Sequence, residues 1–453
     1  MTARHLTRSG VASPHSRRAD GPAVPAPAVQ AGAVITAVDG PTPARAPERR
    51  SLQNGRGPAE RAGGERVLVV APQPFYEDRG TPIAVGQVID ALGQLGYAVD
   101  VLTYPVGAPF DRPGVRLFRA ANPLGIRHVP VGFSFRKVAL DVTLFTALRT
   151  LLRRERYACV HAVEEAAFAA VWLTRHQPVP VIYDMQSSMP EQLLGHPSLR
   201  GASRRARSAL LAAERWLLRR ADMVVSSSGL AERVRQLVPE ARVREWRFAS
   251  TMPPISRDSV EALRASLDIP AGAPVVLYSG TFEPYQGLGT LLAAAAGVLD
   301  AVPDAVFVLV GKTGGETTAP AQVPDLVTGG SVRIVDRQPR EAMPHFLALA
   351  DVLVSPRAYG GNLPLKVFDY LAAGRAIVAT DIPTHRAVLT EELAVLVAPR
   401  AQALAEAIVG LLRDAPRRAR LGAAARAYAE AHLGWVPFVR SVDDLYGEVL
   451  ARV

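Results

Sequence analysis

Residues 351–385 read DVLVSPRAYGGNLPLKVFDYLAAGRAIVATDIPTH. The apolar run Val352 to Val354 ends at Ser355-Pro356, a loop containing Gly360-Gly361 follows, and from Pro364 apolar residues recur at helical spacing as far as Gly374. A second apolar run, residues 376–380, comes next. Strand, glycine loop, helix and strand in that order make the βαβ unit of a parallel sheet. The first turn of a helix leaves backbone N–H groups unpaired and carries the positive end of the dipole, so a glycine-rich entry suits an anion. Lys366, just inside that turn, adds a full positive charge. An ordinary βαβ unit whose glycines only shape a tight turn, with Lys366 a solvated surface residue, gives the same pattern.

The alternation continues on both sides of this stretch. Upstream, residues 273–279 and 306–310 read as buried strands, the first followed by the loop Gly280 to Leu288 and the second by Gly311-Lys312. Downstream, residues 401–413, 416–432 and 435–450 read as helices. Earlier still, strands are expected at 66–71, 98–103, 159–162, 179–183 and 223–226, with helices at 83–95, 133–154 and 200–220. Between the two series the pattern breaks at Thr251-Met252-Pro253-Pro254-Ile255, a natural linker. The fold class is therefore α/β, with two Rossmann-like doubly wound parallel-sheet domains at 64–250 and 251–434 and a final helix at 435–453. Ligands of such sheets bind at the carboxyl ends of strands. That rule singles out Gly80-Thr81 in the loop 78–82, His161, and the run Asp184 to Ser188; a satisfied core position is the other reading of His161.

A chain of 453 residues with 49% hydrophobic content has room for two or three cores. The net charge of +10, largely arginine, suits phosphates or anionic lipid, and an arginine-rich solvated surface produces it equally well. Residues 1–63, rich in Ala, Pro, Gly, Arg and Ser, are expected to be a disordered tail. One cysteine, Cys159, excludes an intrachain disulfide and a cysteine-based zinc site and points to a reducing compartment, the cytoplasm. No apolar run reaches transmembrane length. The two basic helices, the second carrying Leu210, Leu211, Trp216, Leu217 and Leu218, either pack those residues on the sheet or lie on an anionic membrane surface. No Asp-x-Asp pair offers a metal site, no repeat is present, and nucleic acid is not an expected partner.

The segment from Gly361 through Asp369 (GNLPLKVFD), with Gly374 to Ala379 (GRAIVA) after it, resembles the donor motif of GT-B glycosyltransferases, in particular the retaining family 4, the glycosyl transferases group 1. Gly361 stands where that family carries its first glutamate and Asp369 where it carries the second. The second domain's first loop normally holds an arginine and a lysine that grip the donor diphosphate; here Thr281 and Gln286 stand in those places. The resemblance spans about residues 66–450 and implies an acceptor side on the domain 64–250, a nucleotide-sugar donor side on the domain 251–434, an active site in the cleft between them and a final helix, 435–453, that crosses back to the first domain. It implies a GT-B fold and transfer of a sugar, with retention, from a nucleotide-diphosphate donor to a glycan or lipid-linked acceptor, as in cell-envelope polysaccharide synthesis. No cofactor beyond the donor is implied. Donor contacts are implied for Gly80, Thr81, Gly280, Thr281, Gln286, Lys312, Gly361, Asn362, Leu363, Lys366 and Asp369, the last on the ribose. Gln186 falls near the family's donor-touching histidine and joins His161 and Lys366 as a catalytic candidate. Arg79, Lys312, Arg357 and Lys366 are the cations placed to replace the missing pair, Lys366 first because the helix entry fixes it. A catalytically silent sugar-nucleotide-binding protein and a sugar-nucleotide epimerase share the fold and remain as alternatives.

Overall fold

The protein, seen here in a computed structural model, is described over residues 65–77, 80–129, 134–195, 203–250, 252–311, 329–359 and 364–452. The expected tail, residues 1–63, lies outside them.

The first domain is a seven-stranded sheet of β1 (Arg66–Ala71), β2 (Ala98–Thr103), β3 (Val115–Arg119), β4 (Cys159–Val163), β5 (Val181–Met185), β6 (Met223–Ser226) and β7 (Val243–Glu245). Its order is β3-β2-β1-β4-β5-β6-β7, with every neighbouring pair parallel. The second is a six-stranded sheet of β8 (Val275–Ser279), β9 (Val306–Val310), β10 (Val332–Val335), β11 (Val352–Ser355), β12 (Ala376–Thr380) and β13 (Val395–Val397). Its order, β10-β9-β8-β11-β12-β13, repeats the first six positions of the other sheet and is again parallel throughout. In each sheet the order reverses at the first strand, so the crevice for a ligand opens beside the carboxyl ends of β1 and β4, and of β8 and β11.

Burial on both faces explains the unbroken apolar runs. Leu68 and Val70 of β1 belong to one core with Leu140, Leu144 and Leu148 of the helix Phe135–Arg154, while Val67, Val69 and Ala71 face a second core with the helix Gly80–Gln94. In the second domain, Val275 and Leu277 of β8 point to one side and Val276 and Tyr278 to the other.

Several elements differ from the sequence reading. The first helix begins at Gly80, not at residue 83, so Gly80-Thr81-Pro82 is the helix's own first turn. The strand expected at 179–183 runs two residues later, Val181–Met185, because Pro180 has no N–H to give to a ladder and only its carbonyl is used, by Val160. Of the basic segment expected as a helix at 200–220, Arg204–Arg220 is helical, with Leu217 and Leu218 buried on the sheet and Leu210, Leu211 and Trp216 half-buried.

The chain passes between domains twice. After β7 the outward crossing is held by Gln87, whose side-chain amide takes both the N–H and the carbonyl of Ala249 at 3.0 and 2.7 Å. The return crossing, at Leu433-Gly434, leads into the helix Trp435–Leu450, which buries Phe438, Val439, Val442, Leu445, Tyr446 and Val449 in the first domain's core.

Candidate active site in the interdomain cleft

The donor side is built on the carboxyl ends of β8, β9 and β11. Gly280, directly after β8, has φ +143°, and a Cβ there would lie 2.8 Å from Lys366 Nζ and 3.1 Å from the Tyr278 hydroxyl. A Cβ on Gly311, directly after β9, would collide with the Gly280 carbonyl at 1.9 Å. These two glycines let the strand ends close together, and the Lys366 side chain lies against the backbone so exposed. Lys366 opens the helix Lys366–Ala373, which ends at Gly374 in the left-handed conformation, φ 64°, its N–H bonded to the Leu371 carbonyl.

Lys366 Nζ sits 4.1 Å from the centroid of the Tyr278 ring, sealed from solvent, and makes no hydrogen bond among the described residues. Burial, and then the nearby Arg357 guanidinium, hold its pKa well below the usual lysine value. Arg357 is itself buried, lies 5.3 Å over the Tyr285 ring and donates from Nε to the Tyr359 carbonyl at 2.9 Å. Two cations therefore share one low-dielectric pocket with no carboxylate among the described residues paired to Lys366, an arrangement that an anionic ligand would relieve. Beside them His385 is neutral: Nδ1 gives its hydrogen to the Thr380 carbonyl at 2.7 Å and Nε2 accepts from Ser355 Oγ at 2.9 Å. Burial, opposed by the Thr380 bond and aided by Arg357 and Lys366, pushes its pKa down to about 4.

Gln286 lies in the short turn Pro284–Gln286, and its Oε1 is buried without a hydrogen-bond partner among the described residues. Thr281 is exposed, and its carbonyl accepts from the Tyr278 hydroxyl at 2.7 Å. Asp369, on the donor helix, accepts from Ser250 Oγ at 2.5 Å, and burial raises its pKa against the pull of Arg340 and Ser250. Lys312, Gly361, Asn362 and Leu363, and Arg79 on the facing side, lie outside the described residues.

The first domain meets this site through Gly80. A Cβ on Gly80 would touch Leu365 Cδ1 at 3.6 Å, so the helix Gly80–Gln94 starts against the residue that precedes the donor helix. Two helix N-termini thus converge near Lys366. Thr81 is the second residue of the facing helix.

His161 and Gln186 are brought together, but by Asp184 and away from Lys366. Asp184 accepts from Gln186 Nε2 at 2.8 Å and stands 3.4 Å from His161 Nε2; the other ring nitrogen of His161 is 2.8 Å from the Tyr446 hydroxyl. His161 is 1% exposed and binds the last helix to β4. The same sheet edge carries Glu164, which accepts from Ser187 Oγ at 2.9 and 3.0 Å and whose pKa is raised by burial and then by Glu165. Asp141, bonded to the Tyr104 hydroxyl, is pushed up to about 6, chiefly by burial. Tyr278 and His385 escaped the sequence reading. Tyr278 reads as an aromatic within a strand, and nothing local in the sequence marks either residue as a neighbour of Lys366.

The family model described as glycosyl transferases group 1 matches residues 259–428, and that of the glycosyl transferase 4-like domain matches residues 79–249. The chain is 27% identical over 401 residues to a D-inositol 3-phosphate glycosyltransferase of Nocardiopsis dassonvillei, covering 83% of this chain and 91% of that one. It is 31% identical over 166 residues to a phosphatidyl-myo-inositol mannosyltransferase of Mycolicibacterium smegmatis, 36% of this chain and 42% of that one. Among solved structures, a sucrose-phosphate synthase from Thermosynechococcus elongatus superposes with TM-score 0.71 at 23% identity, over 86% of this chain and 100% of that one. An Anabaena protein in complex with UDP and glucose gives 0.65 at 15% identity, over 85% and 100%. At these identities the structural likeness is one of fold.

Proposed function

Because the chain belongs to the group 1, family 4-like glycosyltransferases of GT-B fold, we propose that it moves a sugar from a nucleotide-diphosphate donor to a glycan or lipid-linked acceptor with retention of configuration. The observation that carries this reading is Lys366 Nζ, sealed and without a hydrogen bond among the described residues, on the first residue of a helix whose start packs against that of the helix Gly80–Gln94. A departing diphosphate supplies the charge that this position lacks. As the bond to the sugar breaks, negative charge grows on the leaving phosphate, and a preoriented cation in a dry site stabilises that state more than the ground state. Lys366, with the two helix dipoles, takes the part of the absent loop arginine and lysine, so no divalent metal is needed. Asp369 binds the donor ribose, and the backbone amides of Asn362 and Leu363 bind phosphate. We assign no catalytic proton transfer to His161, whose two ring nitrogens are already engaged inside the first domain.

A lipid-linked acceptor is favoured by the name of the phosphatidyl-myo-inositol relative and by the first domain's outer surface. There Val138 and Val142 are exposed on the helix Phe135–Arg154, which also carries Arg136, Arg149 and Arg153, and Trp172 is exposed with the Arg175 guanidinium 4.1 Å from its ring centroid. No helix among the described residues is long and apolar enough to cross a membrane. Contact would therefore be made from one side, on the cytoplasmic face.

A thermal-shift screen against UDP, GDP, ADP and TDP, with and without EDTA, tests the donor assignment. At a ligand concentration of 100 Kd the midpoint should rise by the equivalent of about 2.7 kcal/mol for the cognate nucleotide. No rise with any nucleoside diphosphate, or a rise that EDTA abolishes, would overturn the assignment. Anomeric analysis of the product by NMR decides between retention and inversion.

A further inference from the structure

Ser250 belongs to none of the motifs that mark the donor site. It is 5% exposed and lies in the outward crossing between the domains. Its N–H donates to the Leu433 carbonyl of the return crossing at 2.8 Å, and its Oγ donates to Asp369 Oδ1 on the donor helix at 2.5 Å. Ala249, immediately before it, is clamped by Gln87. One serine thus stands where both crossings and the donor helix meet, with its backbone fixed from two directions.

A carboxylate turns about its terminal torsion with little preference, so its direction in an empty site is set by what it is bonded to. The Ser250 hydroxyl takes one oxygen of Asp369, and no other hydrogen bond to that carboxylate is made among the described residues. The second oxygen is left for a ligand. We propose that Ser250 is a positioning residue for the donor: acting through Asp369, it aims the free carboxylate oxygen at the ribose of a nucleoside diphosphate. The donor subsite is then completed by the interdomain crossing and not by the second domain alone. This inference rests on the reading of Asp369 as the ribose ligand. The preorganisation is of the charge-assisted kind, which improves binding mainly by removing freedom before the ligand arrives. Burial raises the pKa of the Asp369 carboxyl, and the Ser250 bond, after Arg340, opposes that rise.

The test uses the full chain, with Ser250→Ala, Ser250→Cys, Ser250→Thr and Asp369→Asn compared by titration calorimetry against the nucleoside diphosphate that stabilises the protein and against its 2′,3′-dideoxy analogue. Ser250→Ala should weaken the ribonucleotide about tenfold and leave the dideoxy analogue unchanged, collapsing the ratio between the two. Ser250→Cys, close in size and a weak donor, should do the same and stands in if the alanine variant folds poorly. Ser250→Thr should restore the ratio. In kinetics the loss should appear in donor KM, with kcat held within about twofold. A wild-type ratio in Ser250→Ala and Ser250→Cys, with the ratio lost in Asp369→Asn, would overturn the role of Ser250 alone. A wild-type ratio in Asp369→Asn would overturn the ribose reading of Asp369, and this inference with it.

Discussion

Lys366 shows what a sequence can and cannot say of a single residue. Its charge and its place in the first turn of a helix were readable, since both follow from spacing. Its seat over the Tyr278 ring, against Gly280, was not, because that depends on a strand 88 positions earlier in the chain. His161 illustrates the converse: its position at a strand was legible, but a strand buried on both faces gives no alternation to tell which way a side chain points, and its partner Tyr446 is 285 residues away. A sealed ammonium with no hydrogen bond among the described residues is costly to an empty protein and useful only when an anion arrives. Lys366→Ala should lower turnover about 10²-fold, the scale of other electrostatic stabilisers in active sites. Gln286→Lys should partly rescue it if both side chains reach the same phosphates, as steady-state kinetics of the single and double variants will read. Lys366→Met should raise the melting midpoint of the ligand-free protein at neutral pH and abolish the shift produced by nucleoside diphosphates. The sign follows from the depressed pKa. The lysine's destabilising effect is complete below its folded pKa and is relieved as pH rises from there towards 10.5, so the advantage of methionine should shrink on the alkaline side. An advantage that grows with pH would contradict the assignment.

At the scale of elements, the central strands were legible because each is a short, unbroken apolar run, and β6 and β12 fall at the expected residues. The outer strands β3, β7, β10 and β13 went unread. They are three to five residues long and only partly buried, so their sequences carry neither a continuous run nor a clean alternation. Helix starts were displaced for a related reason: Gly80-Thr81-Pro82 has the composition of a turn, yet proline is well suited to a helix's first turn. The carboxyl ends of β11 and β12 are joined by a residue from the short helix Pro383–Arg386, through the Ser355–His385–Thr380 bonds. Burial favours the neutral form of His385, in which Nε2 accepts from Ser355. With a folded pKa of about 4 against 6.5, its penalty is absent above pH 6.5, grows as pH falls and is complete near pH 4. That amounts to on the order of 3 kcal/mol at the acid end. His385→Gln, which keeps an amide donor and acceptor but cannot take the proton, should therefore be less acid-sensitive than the parent between pH 6.5 and 4. Urea melts at several pH values would expose a parallel loss in both proteins, which would remove His385 from the acid response.

For the whole molecule, two doubly wound parallel sheets were legible from the twice-repeated βαβ alternation, but their strand order was not, because the edge strands carry no pattern. A last helix crossing back to the first domain was implied only by the family resemblance, since the contacts that tie the halves join distant parts of the chain. The helix Trp435–Leu450 follows the second domain in sequence but completes the core of the first, where it places Phe438, Val439, Val442, Leu445, Tyr446 and Val449 beside β1, β4 and the helix Gly80–Gln94. Its polar contacts point the same way: Tyr446 to His161, Arg244 to Glu448 at 3.0 Å, and Trp435 Nε1 to Gln94 at 2.7 Å. Six apolar side chains at about 1.5–3 kcal/mol each represent on the order of 10 kcal/mol of burial, comparable with the whole stability of an ordinary domain. A chain ended after Leu433 should consequently lose the first domain. It should show exposed apolar surface by dye binding, loss of native-state protection in β1 and β4 by hydrogen exchange, and no transferase activity, with β8 and β11 still protected. Tyr446→Phe, which removes only the hydroxyl from His161, should cost about 1 kcal/mol and leave the fold intact. If the truncated chain kept protection in β1 and β4, the first domain would be self-sufficient and the last helix a covering and not part of its core.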